Sequence, residues 1–143
     1  MSDTAGSAAR PDVPASLQSF LSFDFGARRT GVASGKRLME AATPLRTIVA
    51  EAKDDRLAQA EARVREWRPD ALVVGVPFHP DGASHDNTAR ARKFARQLRE
   101  RCRLPVYEVD ERYSTTEALA GGARDADAAA ACIILEQFLR SLK

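Results

Sequence analysis

Three groups of carboxylates stand at the ends of apolar segments in this chain. Asp24 falls within FLSFDFGARRTGVASG, residues 20–35, with apolar residues on both sides of it. Asp110 and Glu111 follow directly on the strand-like VYEV, and Asp125 and Asp127 open the segment that runs into AAAACIIL. An aspartate at a helix start is ordinarily a cap or a dipole partner, and an acidic pair after a strand is ordinarily a solvated loop. Asp24 resists both explanations, because an unpaired carboxylate among apolar residues is costly. Carboxylates gathered together repel one another unless a cation lies between them, and hard ions such as Mg²⁺ or Mn²⁺ suit all-oxygen ligands. Two such ions can activate water and stabilise a leaving oxygen in phosphodiester cleavage.

The second chemical feature is basic. Residues 90–103 hold seven basic side chains against the single acid Glu100, a local charge of +6 in a chain of net +2, so the remainder sums to −4. Arg92, Arg96, Arg99 and Arg103 recur at helical spacing, one stripe beside an apolar face that could track a phosphate backbone or merely face solvent. Arg28, Arg29 and Arg112 adjoin the acidic groups in sequence, which favours a polyanionic substrate. His79 and His85 lie in the loop PFHPDGASHD with no third ligand spaced for zinc, so they are expected as loop residues. Cys102 and Cys132 form no C-x-x-C, fall on apolar helix faces and are expected as buried free thiols in the cell interior, the cytoplasm. Trp67 is expected in the core.

The elements that would position these groups follow from periodicity. Ser19–Phe25 and Thr30–Ser34 read as strands joined through the polar link GARRT, and a third strand lies within Ala42–Val49, with Pro44 assigning it to an edge. Asp54 or Asp55 can cap the next helix, whose Leu57, Ala60, Val64 and Trp67 share one face. ALVVGV, residues 71–76, is continuous enough for a strand covered on both sides. A helix over about 87–102, the strand VYEV and a last helix over Asp125–Leu142 complete the order βββαβαβα. That order predicts an α/β fold whose hairpin-led strands are antiparallel and whose helix-linked strands are parallel.

At 143 residues, 44% hydrophobic and 29% charged, the chain suits one soluble domain, residues 19–143, preceded by a flexible tail over 1–18. The start MSDTAGSAARPDVPAS has neither a basic nor an apolar signal region, and no apolar run approaches the ~18 residues of a bilayer span. No signal peptide and no membrane association are expected.

FDFGARRTGVA, ALVVGVPFHPDG, TARARKFARQL, VYEVDERYSTTEA and DADAAAACIILEQFL together resemble, in the same order, the motifs of the bacterial YqgF-type proteins, described as pre-16S rRNA nucleases or Holliday-junction resolvase homologues. The resemblance spans about Phe20–Leu139. It implies an RNase H-like fold, a five-stranded mixed sheet flanked by helices, and a Mg²⁺- or Mn²⁺-dependent endonuclease that processes the 5′ end of pre-16S rRNA. By position it assigns the metal ligands to Asp24, Glu111 and Asp127, with Asp110 beside Glu111 as the other candidate at that strand end; the basic stripe and the arginines next to the acidic groups put forward Arg28, Arg29, Arg92, Arg96, Arg99 and Arg112 as backbone-binding residues. Between STTEA and the last helix this chain keeps only LAGGAR where relatives carry a longer segment, which bears on how substrate is gripped.

Two other classes compete. A non-catalytic nucleic-acid-binding module would gain nothing from clustered carboxylates. A phosphotransferase related to actin and the sugar kinases would need two such domains around its nucleotide. Within the nuclease class, ribosomal precursor RNA, with ribosomal particles as partners, and branched DNA both remain open as substrates. A monomer and a homodimer are both compatible with the sequence, and cutting a junction symmetrically requires the dimer.

Overall fold

A computed structural model describes residues 13–39, 41–78, 81, 83, 87–110 and 126–142. Its elements are β1 (Ser19–Asp24), β2 (Arg29–Lys36), β3 (Ala42–Val49), α1 (Lys53–Trp67), β4 (Ala71–Val76), α2 (Thr88–Cys102), β5 (Val106–Asp110) and a final helix, α3 (Ala126–Arg140). Among them the strands form one sheet in the order β3-β2-β1-β4-β5. β1 is central, antiparallel to β2 and parallel to β4, and β5 runs parallel to β4. β3 takes the edge that Pro44 foretold, since proline has no N–H to give a second neighbour.

Strand alternation sends two sets of side chains to opposite faces. Leu21, Phe23, Leu72 and Val74 pack with Leu57 and Ala60 of α1 and with Ala91, Phe94 and Leu98 of α2. Phe20, Ala71 and Val73 pack instead with Ile134, Leu135, Phe138 and Leu139 of α3. All six β4 residues are buried, which explains a strand with no polar alternation. Aromatic pairs lock both layers edge to face, Phe20 on Phe138 at 5.3 Å and Phe23 on Phe94 at 5.8 Å between ring centroids. Each such ring, fully buried, contributes about 1.5–3 kcal/mol.

Four expectations change. Residues 13–18, expected within the tail, pack against the domain: Val13 is buried and Leu17 lies against the α3 layer. Trp67, expected in the core, is 45% exposed, because α1 ends there and turns away through Arg68 in a left-handed conformation. Asp54 and Asp55 stand inside the first turn of α1 rather than at its cap, where their charge still favours the helix dipole. Cys102 and Cys132 are free but only half-buried; burial, with Glu136 adding to it, pushes the Cys132 thiol up to about 11. Among the described residues, no helix is long and apolar enough to cross a membrane.

Candidate active site

Asp24 is the last residue of β1, not an interruption within it, and is half-buried. The carboxylate thus stands where the core ends. Its parity on the strand matches Phe20 and Ser22, so it faces α3. Ser22, fully buried on that face, donates its hydroxyl to the Ala131 carbonyl of α3 at 2.8 Å. From that contact Asp24 lies two residues up the strand, roughly 7 Å. Asp127 lies one turn back along the helix, about 6 Å in the same direction. The antiparallel run of α3 over β1 therefore delivers Asp127 to the level of Asp24.

Sheet register explains how the helix comes so close. Asp24 pairs with Gly31 on β2 and with Gly75 on β4, and directly opposed residues share a face. The carboxylate accordingly has a glycine on each side of it. A β-carbon built on Gly31 would stand 1.8 Å from the Asp127 carbonyl oxygen and 2.4 Å from its carbon, so only glycine allows α3 to begin there. Arg29, also on this face by alternation, donates from Nε to Asp127 Oδ2 at 2.6 Å. Both side chains are partly exposed, so the pair orients the carboxylate more than it stabilises the fold.

Asp110 ends β5 opposite Val76, with the parity of Val106 and Glu108. Val106 belongs to the α1/α2 layer and Glu108 pairs with Arg92 of α2 at 3.4 Å, so alternation turns Asp110 away from the face of Asp24. Glu111, Arg112 and Asp125 lie outside the described residues, as do His79 and His85. Among the described residues, no three carboxylate, histidine or cysteine groups converge on one point. Asp24 and Asp127 nonetheless offer what a hard divalent cation takes: carboxylate oxygens from two elements, on one face, at the C-terminal end of a parallel pair of strands.

The basic helix is divided between structure and surface. Arg92 pairs with Glu108 and its guanidinium lies 5.3 Å from the Phe78 ring, while Arg99 donates to the Val106 carbonyl at 3.4 Å. Arg103 closes α2 in a left-handed conformation, its N–H donating to the Arg99 carbonyl at 2.9 Å. Arg96 is exposed. The whole helix covers the face opposite Asp24, so the stripe does not line the acidic pair. Arg28, exposed in the β1–β2 link, and Arg29 stand at the acidic end of β1.

Residue typing passed over Gly31 and Gly75. Their signal was available, because a glycine inside a strand marks a close backbone approach. Arg56 was also missed: it is 7% exposed, with nothing in its helix to distinguish it from solvated arginines.

A family model described as RuvX, Holliday junction resolvase, matches residues 18–141. A relative from Polaromonas sp. named "Putative pre-16S rRNA nuclease" is 70% identical over 135 residues, covering 94% of this chain and 97% of its own. One of the same name from Albidiferax ferrireducens is 66% identical, covering 91% of this chain and 83% of its own. Among solved structures, the fowlpox virus Holliday junction resolvase superposes with a TM-score of 0.58 at 10% identity, over 87% of this chain and 99% of its own. RuvC of T. thermophilus, in complex with a Holliday junction substrate, gives 0.51 at 19%, over 86% and 95%. At such identities these two likenesses speak for the fold, which is RNase H-like as the family resemblance implied and in keeping with the βββαβαβα order.

Proposed function

The chain belongs to the RuvX family, and from that premise we propose that it is a hydrolase, an endonuclease that cuts phosphodiester bonds in precursor 16S rRNA near its 5′ end, in the cytoplasm and on ribosomal particles. The observation that carries the reading is the shared face of Asp24 and Asp127, with glycines on either side of Asp24. Backbone needs alone do not account for that arrangement.

Asp24 and Asp127 would hold Mg²⁺ or Mn²⁺ together with Glu111. Alternation in β5 turns Asp110 away from Asp24, so the assignment of Glu111 made by the family resemblance is kept. The bound ion supplies Lewis-acid chemistry: it lowers the pKa of water and neutralises charge at the scissile phosphate. The protein's own residues do the rest. Arg29 holds Asp127 in one rotamer through the 2.6 Å bond. Arg28 and Arg29 supply charge-assisted donors for the phosphate backbone beside the carboxylates. Arg112 is assigned to the same task. The β1–β2 link keeps its tight path because a β-carbon on Gly26 would fall 2.1 Å from the Arg29 carbonyl oxygen.

The test is cleavage by purified protein in Mg²⁺ or Mn²⁺ of two substrates side by side, a precursor 16S rRNA fragment and a four-way DNA junction. Cutting of the RNA is expected. Symmetric cutting of the junction alone, by a dimer, would move the assignment to recombination. Failure to cut either would overturn the nuclease reading.

A further inference from the structure

Phe25 follows Asp24 and faces the other way, into the α1/α2 layer. There, back to back with the acidic pair, lies a cavity of ≈ 390 Å³ between the β1–β2 link, the start of α1 and the first half of α2. Its floor is aromatic: Phe25 and Phe94, ring centroids 5.4 Å apart. Four cations line it, Lys53, Arg56, Arg90 and Lys93, against one carboxylate, Glu51. None of these four cations is in an ion pair with a carboxylate among the described residues.

Arg56 shows that the cluster is built and not incidental. It is 7% exposed, and its guanidinium centre lies 5.0 Å from the Phe25 ring. Its Nη2 donates to the carbonyls of Ala27, Ala50 and Glu51, which anchor the group in place. Its Nε is buried and donates to nothing among the described residues. A buried cationic N–H without an acceptor is destabilising. Burial and the neighbouring Arg90 both lower the Arg56 pKa, so the fold opposes this charge without neutralising it. An anion in the cavity would offset that charge.

We propose that this cavity binds a nucleotide: its phosphate on Arg56, Arg90, Lys93 and Lys53, its apolar part over Phe25 and Phe94. Phosphate and carboxylate are the anions that arginine forks match, and the parts of Phe25 and Phe94 that line the cavity add an apolar wall beside the cations. The ≈ 390 Å³ volume admits one nucleotide unit. The nucleotide comes either from a nucleic-acid strand that crosses the end of β1 or from the free pool. Only the strand source rests on the nuclease reading.

The experiment measures binding in EDTA, where cleavage plays no part. Anisotropy of a labelled short single-stranded RNA and calorimetry with AMP are compared for wild type, Arg90→Glu/Lys93→Glu, and a control reversal, Arg65→Glu/Arg140→Glu. The control residues are exposed and sit in the last turns of α1 and α3. Both cavity residues are exposed on α2, and thermal melts check that every variant folds; Arg90→Ala/Lys93→Ala serves if the reversal melts early. The cavity variant is expected to weaken RNA binding about ten-fold more than the control and to flatten the salt dependence by about two phosphate contacts. AMP that binds and competes with RNA identifies the free pool; RNA binding without AMP competition identifies the strand. Equal losses in cavity and control variants, or no binding of either probe by wild type, would overturn the proposal. A protein that binds at the cavity but never cuts would instead sink the nuclease reading alone.

Discussion

Each end of β1 meets an aspartate, and the two are held in opposite ways. At the start of the strand, Asp70 Oδ2 accepts the backbone N–H groups of Gln18 at 2.8 Å and Ser19 at 3.1 Å, while the Asp70 N–H donates to Ser19 Oγ at 3.0 Å. Those backbone N–H bonds, Gln18 first, hold the Asp70 carboxyl below the usual carboxylate range. At the far end, Asp24 stands between two glycines and shares its face with Asp127. Asp70 satisfies main-chain donors and pins β1 to β4. Asp24 sits in a row stripped of side chains, where a helix brings a second carboxylate. A strand can thus use the same residue type to close its fold at one end and to present oxygens at the other.

Gly31→Ala tests the second half of that contrast most severely. The added methyl meets main-chain atoms of Asp127 and Ala128, which no rotamer change relieves. The start of α3 must move, at a cost on the order of 3 kcal/mol. Denaturant titration should find that loss, and cleavage should fall with it as Asp127 leaves its place. A variant as stable and active as wild type would refute the close approach of α3.

Asp70→Ala tests the first half. Its expected cost is about 1 kcal/mol at neutral pH, discounted for exposure from hydrogen bonds to a charged group. Because the folded pKa is depressed, this stability is present above the usual carboxylate range and lost as pH falls through the folded value. The gap in melting temperature between wild type and variant should therefore be full at neutral pH and close below about pH 4. Cleavage should be unchanged, and a pH-independent gap would show that the charge is irrelevant.

The smallest effect belongs to Arg29→Ala. An exposed pair is worth about 0.5 kcal/mol, so stability should scarcely move. A cleavage rate lowered several-fold with the melting temperature unchanged is the expected split. A drop in stability with cleavage intact would make Arg29 a fold residue.

Much of this frame was legible in the sequence because it depends on local pattern. Pro44 at the edge, the six-residue apolar β4, the apolar face of α2 and the apolar run of α3 are local patterns that any neighbour would respect. The acidic residues were legible as oddities, and Asp24 and Asp127 do share a face. What was not legible depends on register between distant segments. Nothing in the local pattern singles out Asp70, and only the parallel pairing of β4 with β1 brings it to Gln18 and Ser19. Arg56 carried no signal of burial and Trp67 was expected in the core, because helix periodicity fixes which residues share a face but not how far the neighbouring layer extends over it. Val13 docks through contacts with α3, more than a hundred residues downstream.

The central claim is that the carboxylate ending β1 belongs to the chemistry and not to the fold. It is tested most directly by single-turnover cleavage of a precursor 16S rRNA fragment in Mg²⁺, wild type against Asp24→Asn. The substitution keeps side-chain volume and removes the charge. The account predicts a rate lowered by about three orders of magnitude with an unchanged melting temperature. Cleavage at the wild-type rate by a folded Asp24→Asn would contradict it.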